Sequence, residues 1–311
     1  MELFSSVSHI DFMAQRGRAF ALSAVVLLVS IGFLLFKGLN LGLDFTGGVQ
    51  LEISCMHALN CDKVRQTLAD NGLEATVQNY GSNDRLVVRT KMPKGMELSQ
   101  LSQLIMQQLP DSQLEQTAVI GGQAGRRMLL DGALAVVMAV VGTIIYVAFR
   151  FEYHFALAAA LALLHDPIVI LGVFAASGME FDLITLVAVL TIIGYSLNDT
   201  IVIYDRAREN FIKHPTFSPV EVLNLSVNQT LSRTIILSGT TLAVVLGLLV
   251  LGGEMLRGFS VALLVGIVVG TYSSVYIAGS LSLLLGLNRA RLLGRSWLSG
   301  YGVKDGRTTN L

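Results

Sequence analysis

The sequence predicts a multi-pass α-helical membrane protein with six transmembrane helices and one small exported α+β domain of ferredoxin-like βαββαβ order. Three observations predict it. Of 311 residues, 53% are hydrophobic and only 14% are charged, whereas soluble globular chains carry about 25% charged residues. Six apolar runs, at 19–36, 129–149, 155–177, 183–204, 234–251 and 259–285, approach or exceed the roughly 18–20 residues that cross a bilayer as a helix. Between the first two runs lies a long polar segment patterned like a soluble domain. The 22 basic and 22 acidic residues cancel, so no net field draws in a polyanion, and nucleic acid is not expected as a partner.

In chain order, residues 1–18 form a cytoplasmic N-terminus. The first helix follows at 19–37. Arg16 and Arg18 precede its apolar stretch, which ends in Lys37-Gly38-Leu39-Asn40. That is not a small-x-small cleavage site, so a retained helix is expected rather than a signal peptide. The exported (periplasmic) domain occupies 38–127. Val49, Leu51 and Ile53 alternate with Gln50, Glu52 and Ser54, the period-two pattern of a strand. Val64 and Leu68 mark a helix stopped by Gly72. Strands are expected at 73–80 and 86–90, joined by the turn Gly81-Ser82-Asn83-Asp84. Leu98, Leu101 and Ile105 mark a second helix ending near Pro110, and 114–120 closes the domain as a strand. Cys55 and Cys61 both fall here, as two separate thiols or as a disulfide.

The remaining helices are expected at 128–149, 155–177, 182–205, 233–252 and 258–286. A cytoplasmic loop at 206–232 contains a helix opened by the capping box Ser218-Pro219-Val220-Glu221, and a cytoplasmic tail covers 287–311. Orientation follows the short segments. Arg16, Arg18, Arg150, Arg206, Arg208, Lys213, Arg233 and the tail's Arg289, Arg291, Arg295, Lys304 and Arg307 fall on one side, against Arg257 on the other. Both termini are therefore expected in the cytoplasm of a cell with an inner membrane.

Familiar catalytic signatures are absent from the sequence. No lysine follows a glycine, so there is no phosphate-binding P-loop. No two histidines stand four apart, and there is no G-x-S-x-G elbow. A non-enzyme without cofactor or metal is expected, driven by a partner ATPase or by an ion gradient.

The six runs hold three charged residues, Asp131, Asp166 and Asp199, all acidic. An ionised group at the bilayer centre costs at least ~2.5–3.5 kcal/mol, which makes such residues functional candidates. Asp166 stands in Leu164-His165-Asp166-Pro167, whose proline breaks the local hydrogen-bond ladder. Within about 100° of Asp199 around its helix lie Thr191, Tyr195, Ser196 and Asn198, a polar face expected to turn toward the bundle or a water-filled cavity. Arg233 opens the fifth helix and could serve as the counter-charge of a membrane Asp, or as a cytoplasmic anchor. Helix-tying hydrogen bonds remain the alternative role for Asp166 and Asp199, and Asp131 reads as an N-terminal acid favoured by the helix dipole. On the last helix Gly258, Ala262, Gly266, Gly270, Ser274 and Ala278 recur every four residues, a small-residue stripe that permits close packing in lipid. A four-residue period drifts about 40° per step around an α-helix, so one straight neighbour is not expected to follow the whole stripe.

These residues resemble the SecD/SecF family of protein-export membrane proteins. The resemblance rests on Asn40-Leu41-Gly42-Leu43-Asp44-Phe45-Thr46-Gly47-Gly48, on Leu164-His165-Asp166-Pro167, on 194–210, and on Asn228-Gln229-Thr230-Leu231-Ser232-Arg233-Thr234. It covers nearly the whole chain and fits a SecF-type layout within the resistance-nodulation-division superfamily. It implies a SecD partner supplying six more helices, association with the Sec channel and its accessory membrane subunits, and contact with unfolded preproteins outside the membrane. It also implies a proton-driven cycle with Asp199 and Arg233 on the proton route and Asp166 as a weaker member. Protons are the expected coupling ion, with sodium as the alternative. Other readings are half of a small-molecule exporter and a scaffold of the channel that uses no ion gradient.

Overall fold

The computed structural model describes residues 9–287, except 57–59, 81, 94–95, 110 and 152. The first eight residues and the basic tail from 288 onward, including Arg289, Arg291, Arg295, Lys304 and Arg307, lie outside the described residues.

Helix α1 spans Arg16–Phe36 and is followed by a two-residue strand β1 (Asn40–Leu41) and a single turn α2 (Leu43–Thr46). The small domain then runs β2 (Gly48–Cys55), α3 (Cys61–Asp70), β3 (Ala75–Tyr80), β4 (Ser82–Thr90), α4 (Leu98–Gln107) and β5 (Ser112–Ile120). The sheet order is β3-β4-β2-β5 with every neighbouring pair antiparallel, which is the split βαββαβ arrangement. Val49, Leu51 and Ile53 turn to one face and meet Val64, Leu68, Leu101 and Ile105 from the two helices. Gly72 adopts φ +75 and ends α3, where an L side chain would be strained. The β3–β4 reversal is tighter than a four-residue turn. Tyr80 pairs with Ser82, so Ser82, Asn83 and Asp84 belong to β4, and residue 81 lies outside the described residues. Cys55 and Cys61 are free thiols. Burial raises both thiol pKa values, and the Cys61 thiol also bonds to Asn79 Oδ1 at 3.2 Å.

Helix α5 (Gly122–Arg150) starts two turns before its apolar run, and α6 covers Tyr153–Ser177. A second two-residue strand, β6 (Glu180–Phe181), precedes α7 (Leu183–Lys213), which continues two turns beyond Tyr204. Helix α8 (Pro219–Leu251) opens with the Ser218/Glu221 capping box and runs without interruption past Arg233, so the helix expected in the loop and the fifth membrane helix are one element. The last membrane helix is built from α9 (Gly253–Tyr272), a π-helical segment (Ser273–Ala278) and α10 (Gly279–Leu284). Six of these helices are long and apolar enough to span a membrane. The third, fourth and sixth are the buried ones, at 67%, 50% and 56% of their apolar windows, while the other three form the periphery.

The signature after α1 builds a joint between the domain and the bundle. β1 pairs in parallel with β6, Asn40 to Glu180 and Leu41 to Phe181. The Asp44 carboxylate accepts from Leu183 N–H at 3.0 Å, capping a free donor at the start of α7. Gly47 has φ +76, and a Cβ there would stand 2.7 Å from Gly122 Cα. A Cβ on Gly125 would stand 2.9 Å from Gly47 N. Both glycines let the turn lie directly on α5. Glu180 closes the joint beside Gly42. Burial raises its carboxyl pKa, and the Arg89 guanidinium of β4 opposes that rise. A carboxyl raised in the folded state contributes most stability when protonated and loses it as pH climbs through the folded pKa. Arg89→Met therefore lowers the melting temperature near neutral pH. The loss shrinks below the ordinary carboxylate range, and an equal loss at both pH values would assign Arg89 to packing alone.

Candidate functional site

The site forms where α6, α7 and the last helix cross. Close approach there depends on small residues. A Cβ on Gly266 would stand 2.4 Å from Ile192 Cγ1, one on Gly258 2.7 Å from Thr185 Oγ1, and one on Gly270 3.0 Å from Ser196 Cβ. Ala262 and Ala278 are fully buried. Further along, Ser274 donates to Ser196 O at 3.1 Å, and Tyr204 OH donates to Ala278 O at 3.0 Å. Helix α7 thus meets the stripe at Gly258, Gly266, Gly270, Ser274 and Ala278, and α6 also borders it, with Phe174 near Gly258 and Asp166 near Gly270.

Asp166 sits at the centre, 1% exposed. Its Oδ1 lies 2.9 Å from His165 Nδ1. Its Oδ2 accepts from Ser196 Oγ at 2.5 Å and Ser273 Oγ at 3.0 Å. Ser273 opens the π-helical segment, so the carboxylate joins three helices. One turn beyond Ser196 on α7, Thr200 Oγ1 lies 2.9 Å from Ser274 Oγ.

Asp199 is 3% exposed, and its Oδ2 is buried without a hydrogen-bond partner. The charge that bears on it is Arg233. The two form no ion pair: Arg233 is exposed and lines a cavity of about 380 Å³ together with Val202, Asp205, Arg206, Glu209, Gln229 and Thr230. Arg206 donates to Gln229 Oε1 at 2.6 Å, and Arg150 pairs with Asp205 at 2.9 Å.

The polar face around Asp199 divides. Ser196 is buried on Asp166, and Tyr195 is half-buried with its hydroxyl 3.4 Å from Ser238 Oγ, which in turn meets Thr271 Oγ1 at 2.8 Å. Thr191 and Asn198 are exposed, contrary to the expectation that the whole polar face turns inward. With Val187 and Gly194 they form an outward stripe at i, i+4, i+7 and i+11. Helical spacing of 100° per residue spreads the polar set over too wide an arc for one neighbour to cover. Asp131 is exposed, 3.8 Å from Arg127 one turn away.

Comparison with known proteins places these features in a family. Residues 100–288 match the family model described as protein export membrane protein SecD/SecF, C-terminal, and residues 32–55 match the SecD/SecF GG motif. The chain belongs to the SecD/SecF family. A protein translocase subunit SecF from Vibrio alginolyticus is 40% identical over 298 residues, covering 94% of this chain and 95% of its own. One from Pseudomonas aeruginosa is 41% identical over 292 residues, covering 92% and 95%. Among solved structures, SecDF from Thermus thermophilus, described as a translocon-associated membrane protein, matches with a TM-score of 0.78 and 34% identity. The match covers 92% of this chain but only 39% of the SecDF chain. A SecDF structure in a super-membrane-facing form matches with a TM-score of 0.69 and 33% identity, again covering 39% of that chain. In this SecD/SecF chain the matched GG-motif segment includes Gly47, which lies against Gly122 of α5, and Gly48, which lies against Leu43 and Thr90.

His165, Ser273 and Thr200 join the site without having been picked out as site residues from the sequence. The available signal was the serine pair Ser273-Ser274 inside an apolar helix, where hydroxyls seek partners. The stripe also yields a packing test. Gly266→Ala destabilises the bundle by about 1–3 kcal/mol, and Ile192→Ala in the same chain restores part of the loss, read by thermal unfolding in detergent. Additive losses would separate the two positions.

Proposed function

We propose that this chain is a SecF-type subunit of the Sec translocase, which pairs with SecD and uses the proton motive force to drive protein export across the inner membrane. The observation that carries the proposal is Asp199, a carboxyl buried in the membrane bundle with one oxygen unpartnered and Arg233 facing it from an open cavity. An ionised carboxylate in that setting is costly. The site therefore favours taking a proton, or swinging toward the guanidinium when it loses one. Asp199 carries the proton, Arg233 acts as counter-charge on the cytoplasmic side, and Asp166 holds the three central helices in register.

The exposed stripe Val187, Thr191, Gly194 and Asn198 supports a SecD partner. Polar and small residues in a membrane span seek another helix rather than lipid, and a Cβ on Gly194 would meet nothing within 4 Å. With both termini cytoplasmic, the ferredoxin-like domain stands outside the membrane, where unfolded preproteins emerge from the Sec channel and its accessory subunits. Protons are the coupling ion in this reading, and no bound cofactor is required.

Asp199→Asn keeps the shape and removes the titration. In vesicles holding the SecD complex and the channel, it abolishes the gradient-dependent part of preprotein export while copurification with SecD persists. Normal gradient-driven export by that variant would refute proton carriage. Asn198→Leu tests the partner face by weakening copurification with SecD. Undiminished copurification would move the contact elsewhere.

A further inference from the structure

One titratable group in the bundle has no part in the reading above. His165 is 5% exposed, its Nδ1 faces Asp166, and its Nε2 is buried without a partner. A buried ring nitrogen with nothing to bond costs free energy unless its emptiness is used. Asp166, in contrast, has partners on both oxygens.

We propose that His165 and Asp166 form a second protonatable pair, which takes up one proton separately from Asp199 and passes its charge state to the last helix through Ser273. The inference rests on the proton-coupled reading and adds a site to it. The bookkeeping is simple. With Nδ1–H donating to an ionised Asp166, the pair carries a net negative charge and the Nε2 lone pair is free. A proton arriving at Nε2 gives an imidazolium–carboxylate pair of zero net charge. Shifting the Nδ1 proton onto Asp166 leaves the same total. In lipid the neutral state is the less costly one.

The path to the helix is also built. Ser273 Oγ bonds to Asp166 Oδ2 and, at 3.1 Å, to Gly270 O of its own helix. Hydrogen bonds to an ionised carboxylate are roughly twice as strong as neutral ones. Neutralising the pair therefore weakens the hold on Ser273 and on Ser196, and Ser273 has Gly270 O ready as a substitute. Ser273 is the first residue of the π-helical segment, a conformation found mostly as single-turn bulges, frequently at functional sites. The charge of the pair thus bears on where the π turn sits.

The titratable groups on the packed elements do not compete for the pair. Helix α7 offers Tyr195, Asp199 and Tyr204, with Asp205, Arg206, Arg208, Glu209 and Lys213 toward its end, α9 Glu254 and Arg257 at its start and Tyr272 at its end, and the π segment Tyr276. Tyr272 is occupied with Ala19 O at 2.7 Å. Helix α1 carries Arg16 and Arg18 in its first turn, and α5 carries Arg126, Arg127, Asp131, Tyr146 and Arg150. None of these bonds to His165 or Asp166, and α10 carries no titratable residue.

The test uses the SecD complex and channel in vesicles, with gradient-driven export followed across pH. His165→Asn keeps an amide N–H near the Nδ1 position and removes Nε2. Its gradient-driven rate falls on the order of tenfold, and the part of the wild-type pH dependence that the pair supplies disappears. A pH-indicator dye reports one proton fewer taken up by the purified complex. Ser273→Ala retains that proton uptake yet slows export. Copurification with SecD verifies that each variant assembles. A wild-type pH profile in His165→Asn, with Asp199→Asn inactive, overturns the pair alone, whereas normal export by Asp199→Asn removes the proton-coupled reading beneath it. Loss of proton uptake in Ser273→Ala, or a profile set by sodium at fixed pH, also overturns the pair.

Discussion

A carboxylate inside a membrane bundle must be satisfied by its neighbours, because lipid offers neither water nor counter-ions. Much of the helical arrangement follows from how two such groups are handled. Asp166 gathers donors from its own helix, from α7 and from the start of the π-helical segment. Those donors are reached only because Gly266 and Gly270 let the last helix press onto α7. Asp199, one turn beyond Ser196, is left with an open valence. The same bundle therefore contains one acid held by hydrogen bonds and one kept short of them.

Much of the fold was legible because it is written locally. Alternation at Val49, Leu51 and Ile53 fixed the strand period, Gly72 marked a helix stop through its positive φ, and Ser218 with Glu221 announced the start of α8. The features that escaped depend on distant partners. The pairing of Asn40 and Leu41 with Glu180 and Phe181 joins residues some 140 positions apart and leaves no periodic trace. The continuity of α8 through Asn224, Asn228 and Gln229 was not expected from the sequence, which placed a separate helix before Arg233. Their amides bind the N-terminal segment, Asn228 to Ile10 and Asn224 to Phe12, and Gln229 holds Arg206 and Asn210.

The candidate site was legible in its acids and not in its geometry. Lipid makes any Asp conspicuous in sequence, so Asp166 and Asp199 stood out. Helical spacing placed Thr191, Ser196 and Asn198 on one broad face, but burial split that face between Asp166 and the outside. The π-helical segment could not be read at all, since Ser273-Ser274-Val275-Tyr276-Ile277-Ala278 has no composition that separates it from α-helix. It is set by what the two serines bond to.

The uninterrupted α8 has a mechanical consequence. At 1.5 Å per residue its 33 residues measure about 50 Å, against a hydrocarbon layer of about 30 Å. Its near end is clamped to the chain's N-terminal segment by Asn224 and Asn228, and its far end meets the start of α9, where Glu254 and Arg257 line a cavity with Thr76, Gln78 and Arg89 of the small domain. A stiff rod of that length, tilted by about ten degrees, carries its far tip roughly 9 Å. Its length makes any tilt at mid-membrane largest at its two ends.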